Sequence, residues 1–212
     1  MTQSVTHRWQ PLVLASSSPR RRELLTQIGV QFEVVVEPVD ETRHSGEAPV
    51  DYVCRLACAK AAVVNTQEQA GQRRPVLGAD TIVVAEGQVL GKPVDADDAA
   101  RMLMLLSGRR HQVMSAVCIM QGERQQLRLS TSTVGFRSLS ATDIAAYWAS
   151  GEPEGKAGAY AVQGLGALFI NYLEGSYSGV VGLPLFETAE LLAAFSIATS
   201  LDSASTDKES IA

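Results

Sequence analysis

The chain has 212 residues, 46% hydrophobic and 19% charged, which is enough apolar sequence to bury a substantial core, most simply as one domain. A net charge of -5 and a pI of about 5.2 exclude a global attraction for nucleic acid or an anionic membrane, so any basic patch is local and its anion is small. Three cysteines give an odd count and no disulfide framework, and no stretch has the apolar core of a signal peptide or the length of a membrane span, so the cytoplasm is the expected compartment.

The polar start "MTQSVTHRWQ" predicts a flexible N-terminus through residue 11. Leu12 to Ala15 follow as a short buried strand, Ser18 and Pro19 as an N-cap with proline in the first helical position, and "RRRELL" as the helix itself. Three arginines therefore crowd the positive pole of a helix dipole, where acidic residues belong. Ser16, Ser17, Arg20, Arg21 and the free N–H groups of that turn would suit a triphosphate-sized anion. A solvated helix start whose arginines pair with distant carboxylates is the other reading.

Next, "QFEVVVEP" predicts a strand, and Glu41 in "PVDETR" follows it as a loop carboxylate. "PVDYVCRLACAKAAVV" has Val53, Leu56, Ala57, Ala61 and Val64 at helical spacing, with Lys60, Cys54 and Cys58 on the same helix. "PVLGADTIVVAEGQVLGKP" predicts a strand, a bend at "GAD", more strand, a turn at Glu86 and Gly87 and a short return, with Lys92 at its end. Asp80, placed in an apolar run, is costly to bury without a cation, a ligand or N–H donors from its own loop. "DADDAARMLMLLSG" reads as a capped structural helix, the stretch from His111 to Leu139 as a long hairpin turning at Gly122, and "SATDIAAYWASG" as a helix capped by Ser140 and Asp143. "GKAGAYAVQGLGALFI" is too glycine-rich for a regular element before Ala167 and predicts a loop, able to approach a ligand closely, that leads into a strand. "GLPLFETAELLAAF" closes the fold as a helix, and residues from about Ser196 read as a disordered tail. The scattered His7, His44 and His111 give no zinc spacing, and there is neither a nucleophile elbow nor a Walker loop.

The stretches "LASSSPRRRELL", "DYVCRLACAKA", "LGADTIVV", "GKPVDADDAARML", "LSGRRHQVMSAV", "GKAGAYAVQGLGALFI" and "GSYSGVVGLPLFET" occur in one order that resembles the Maf family of nucleoside triphosphate pyrophosphatases, over about residues 12–195. The resemblance implies a single α/β domain with a long, strongly twisted mixed sheet flanked by helices, a nucleotide-binding cleft, and a Maf or ITPase-like fold. It implies a divalent cation, Mg2+ or Mn2+, a homodimer, and hydrolysis of a nucleoside triphosphate to the monophosphate and pyrophosphate. By the same resemblance Asp80 is the proton acceptor and, with Glu41, the carboxylate set for the metal. Ser16, Arg20, Arg21, Lys60 and Lys92 face phosphate, and Arg20, Thr81 and Gln163 separate substrates. The Gln163 amide offers one donor and one acceptor, the pattern that N3–H and a carbonyl of uracil or thymine require, so the resemblance points to the branch acting on dTTP and UTP. A purine-directed nucleotide-sanitising enzyme and a non-enzymatic, nucleotide-binding regulator of cell division or septum formation are the alternatives.

Overall fold

The computed structural model describes residues 11–67 and 73–202. Residues 1–10 of the expected flexible start, and the expected tail beyond Asp202, lie outside the described residues.

Short parallel strands open the fold and long antiparallel ones complete it. Strand β1 (Leu12–Leu14) pairs in parallel with β2 (Phe32–Val34) and with the start of β3 (Val76–Ala85), helix α1 (Pro19–Gln27) joining the first pair and α2 (Pro49–Asn65) leading into β3. The tip of β3 turns through Glu86 and Gly87, both at positive φ, into β4 (Gln88–Leu90). After α3 (Ala96–Leu106), β5 (Arg110–Gln121) and β6 (Arg124–Phe136) form the long hairpin. Then come α4 (Ala141–Ala149), two 3-10 turns (Ala157–Ala159 and Leu165–Phe169), β7 (Ile170–Glu174), α5 (Tyr177–Val181) and α6 (Leu185–Ala194). The result is a mixed seven-stranded sheet in the order β2-β1-β3-β5-β6-β7, with β4 on β3 and helices on both sides. The Ser140 and Asp143 cap on α4 forms in both directions, as the sequence predicts.

One edge of β3 decides where a ligand can enter. β1 pairs with it only at Val76 and Leu77, and β4 only from Val83 to Ala85 on that same edge, while β5 runs along the other. The stretch between carries Asp80 and Thr81 on opposite faces of the strand. A split in an open α/β sheet beyond the carboxyl end of a strand is the ordinary place for a ligand crevice.

The expected bend at "GAD" is absent: β3 is one continuous strand of ten residues. Gly78 is needed for close approach instead. A Cβ there would stand 2.3 Å from the carbonyl oxygen of Ala57 and 2.6 Å from the backbone nitrogen of Ala61, so any side chain would lift α2 off the sheet. The faces of α2 predicted from spacing are those buried, Val53, Leu56, Ala57, Ala61 and Val64. Val53, Ala57, Ala61 and Val64 seat this helix against β3 and β5 with Val76, Ala116 and Cys118 in one apolar cluster. A second cluster joins Leu14, Leu25, Leu191 and Leu192, and a third packs α3 and α4 against Phe136, Tyr160 and Phe169 at the other end of the sheet.

Two boundaries differ from expectation. The strand read across "QFEVVVEP" stops at Val34, because β1, its partner, is only three residues long; Val36 to Val39 leave the sheet and line the cleft. Packing also continues past Ser196: Ile197 is buried with Leu192, and the Ser200 N–H donates to the Ile28 carbonyl at 2.9 Å.

Candidate active site

Around the open edge of β3 lies a cleft of about 780 Å³, lined by Ser16, Arg20, Arg21, Glu41, Lys60, Asp80, Thr81, Lys92 and Gln163. Every site residue singled out from the sequence thus reaches one cavity, although they come from six separate segments.

The first wall is the start of α1. Ser18 occupies the N-cap position, yet its hydroxyl makes no capping bond, and its own N–H donates to Ser16 Oγ at 3.3 Å. The first turn holds no acidic residue, so its N–H donors and its dipole are left for something else. Arg21 folds back across the turn: Nη1 donates to Ser16 Oγ at 3.0 Å and Nε to the Gly182 carbonyl at 2.9 Å. Burial pulls its pKa down against the opposing pull of the nearby Asp80 carboxylate. Its hydrogen-bonded partners are a hydroxyl and a carbonyl, not the distant carboxylate of the alternative reading. Arg20 is also lowered by burial, with Glu23 and Glu152 opposing.

The second wall is a charge cluster. The close contact of α2 with Gly78, two residues before Asp80 on β3, brings Lys60 to that carboxylate: its ammonium donates to Asp80 Oδ1 at 2.7 Å and lies 2.6 Å from Glu41 Oε1. Asp80 is 9% exposed, and its partner is Lys60 rather than its own loop. Burial pushes the Glu41 pKa up, but the Lys60 hydrogen bond and charge, with Lys92 and Arg21 beyond, outweigh this and hold it below the ordinary value. The Tyr52 hydroxyl donates to the Glu41 carbonyl at 2.8 Å and fixes that loop. On the opposite face of β3, Thr81 Oγ1 lies 2.9 Å from Ser115 Oγ and 3.4 Å from the Gly182 carbonyl, and Ser115 donates to the Gly179 carbonyl at 2.6 Å. Thr81 and Arg21 therefore share Gly182 as a partner.

The third wall is the glycine-rich loop after α4. Gln163 is exposed on it, between buried Tyr160 to Val162 and the 3-10 turn at Leu165. Tyr160 is hydrogen-bonded through its hydroxyl to His111 Nε2 at 2.8 Å, and burial pushes the His111 pKa down to about 4, which keeps the ring neutral near pH 7. Glu152 and Lys156 line the same cleft and were not singled out from the sequence. The signal that could have found Glu152 is the "QGLG" stretch, whose Gly164 makes room for it.

Among the described residues there is no group of three or more His, Cys, Asp or Glu side chains arranged to hold a metal. Asp80 and Glu41 nevertheless converge on one cationic point, the Lys60 ammonium. Two carboxylates are what a hard, oxygen-seeking divalent ion needs from a protein when phosphate oxygens and waters complete its shell.

In this mixed α/β sheet split over a cleft, an uncapped, arginine-rich helix start stands opposite paired carboxylates, so anion-binding and cation-binding groups share one cavity. The chain belongs to the Maf family, its residues 11–195 matching the family described as Maf-like protein. It is 53% identical over 188 residues to the dTTP/UTP pyrophosphatase of Saccharophagus degradans, covering 88% of this chain and 89% of that one. The dTTP/UTP pyrophosphatase of Methylococcus capsulatus is 54% identical over 181 residues, covering 85% and 89% of the two chains, and that of Shigella dysenteriae serotype 1 is 53% identical over 184 residues, covering 87% and 92%. A solved nucleoside-triphosphatase, a dITP/XTP pyrophosphatase from Mycobacterium abscessus, is more distant, with 15% identity and a TM-score of 0.46 over 88% of this chain and 94% of its own.

Proposed function

We propose that this chain hydrolyses dTTP and UTP to the nucleoside monophosphate and pyrophosphate. The observation that carries the reading is the Asp80, Lys60 and Glu41 cluster standing across one cleft from the Arg21 and Ser16 turn, in a chain more than half identical to dTTP/UTP pyrophosphatases. A triphosphate carries about four negative charges that repel an attacking water until cations offset them. Arg20, Arg21 and the N–H groups of α1 bind the phosphate chain from one side, Lys60 and Lys92 from the other, and Ser16 orients Arg21. Asp80 takes the proton of the water that attacks the α-phosphorus as the bond to pyrophosphate breaks. Asp80 and Glu41 would hold Mg2+ or Mn2+, which when bound supplies further charge neutralisation for the phosphates. Gln163 accepts from pyrimidine N3–H and donates to an adjacent carbonyl, with Arg20 and Thr81 shaping the remainder of the pocket.

The cytoplasm and the homodimer belong to the same proposal; three free thiols suit a reducing compartment. Product analysis tests the bond cleaved. Purified chain incubated with dTTP and Mg2+ is expected to yield dTMP and pyrophosphate in equal amounts, and dTDP with orthophosphate would contradict the proposal.

A further inference from the structure

Between Tyr160 and Phe169 the backbone is pinned at both ends of a short span that carries Gln163. The Glu152 carboxylate accepts the Leu165 N–H on Oε2 at 2.8 Å and the Gly166 N–H on Oε1 at 3.0 Å. Tyr147, one turn back on α4, donates its hydroxyl to Glu152 Oε1 at 2.7 Å and accepts the Ala161 N–H at 3.1 Å. Two side chains thus hold Ala161 on one flank of Gln163 and Leu165 with Gly166 on the other. Neither nearby glycine has room for a side chain. A Cβ on Gly164 would stand 2.1 Å from Glu152 Oε2, and one on Gly166 would stand 2.6 Å from the Ala161 carbonyl oxygen and 2.7 Å from the Tyr147 hydroxyl. Neither glycine lies in the left-handed region, so their need is for space and not for backbone freedom.

Burial pushes the Glu152 pKa up, but the donors from Gly166, Tyr147 and Leu165 outweigh it, so the group is held as a carboxylate and accepts at every one of these bonds. It lines the cleft on the side where its charge also faces Arg20.

We infer that Glu152, locked by Tyr147, is the positioning residue for base recognition: it fixes the loop that presents Gln163 to the nucleobase, without touching the phosphates that react. The inference rests on the reading of this cleft as a pyrimidine nucleotide site. A loop set in place before binding loses less freedom when the base arrives, so loosening it weakens binding of the base and leaves the phosphate contacts intact.

Glu152→Gln keeps the shape but turns one acceptor into an N–H2 group that faces backbone donors. The Michaelis constants for dTTP and UTP are expected to rise about tenfold with kcat changed much less, as befits loss of binding to a non-reacting part of the substrate. Inorganic tripolyphosphate, which has the phosphates and no base, supplies the readout that a purely structural role would not separate. Its inhibition constant is expected to stay within about twofold of the parent value. Tyr147→Phe removes the hydroxyl that serves both flanks and is expected to shift the same ratio in the same direction, with thermal melting reporting that each variant is folded. A parallel weakening of tripolyphosphate and of the nucleotides would overturn the inference, as would unchanged constants for dTTP and UTP in both folded variants. A parent chain that turns over neither dTTP nor UTP would overturn the activity reading together with this inference; an active parent with indifferent variants would overturn this inference alone.

Discussion

Asp80→Asn is expected to lower turnover of dTTP and UTP at least about a hundredfold, the loss typical when a general base is removed. The substitution keeps the size of the side chain and removes its charge and its capacity to take a proton. The fold should tolerate it because Lys60 is not left alone: its ammonium retains Glu41 at 2.6 Å. Asparagine also keeps an oxygen that can accept from the lysine at the position where Asp80 now does so at 2.7 Å. The strand itself is anchored by its pairing with β5 from Val76 to Val84, which involves no side chain at all. The measurement is kcat at saturating Mg2+ beside a thermal melt of the same preparation. Near-parental turnover in a folded variant would remove Asp80 from the chemistry and leave it as a partner of Lys60.

Gln163→Glu is the substitution with the next largest expected effect. A carboxylate oxygen would replace the amide donor at nearly constant shape, so a pyrimidine carbonyl that had accepted a hydrogen bond would meet a repulsive acceptor. A polar group deprived of its partner in this way costs about 1 to 3 kcal/mol, or roughly a five- to 150-fold loss of kcat/KM for dTTP and UTP. GTP, whose base edge presents two adjacent donors, should lose less or gain. Because Gln163 is exposed on its loop, melting should barely change. Equal changes for dTTP, UTP and GTP would make Gln163 a loop residue without a role in base choice, and would leave that choice to Arg20 and Thr81.

Much of the fold was legible wherever periodicity and caps speak locally. The buried positions of α2 and the capping of α4 by Ser140 and Asp143 follow directly from spacing, as does the long β5–β6 hairpin. What was misread depends on distant neighbours. Gly78 looks like a bend in the sequence because the reason for it, the backbone of α2 at Ala57 and Ala61, is some twenty residues away. The second strand ends early because its partner β1 is short, which its own apolar run cannot report. Helix α5 was not expected: five residues in a Ser- and Gly-rich stretch carry no period, and it is closed by Ser176 accepting from the Gly179 N–H.

The candidate site divides the same way. The misplaced charge of the α1 arginines and the lone carboxylate at Asp80 each point to a ligand, and all the singled-out residues do line one cleft. Lys60, expected to reach phosphate, is bonded to both carboxylates in this structure. That arrangement was unreadable because Glu41 and Asp80 lie on either side of α2 in sequence and meet only once the helix is pressed onto Gly78. Glu152 was passed over for a similar reason, since its partners Leu165 and Gly166 lie more than a dozen residues downstream.

Pyrophosphate release from dTTP, UTP, CTP, GTP and ATP, each with Mg2+ and with Mn2+, measured on the purified chain, tests the proposed activity most directly. Metal-dependent release with the highest kcat/KM for dTTP and UTP is expected. Binding of these nucleotides without pyrophosphate release, or a clear preference for the purine nucleotides, would contradict it.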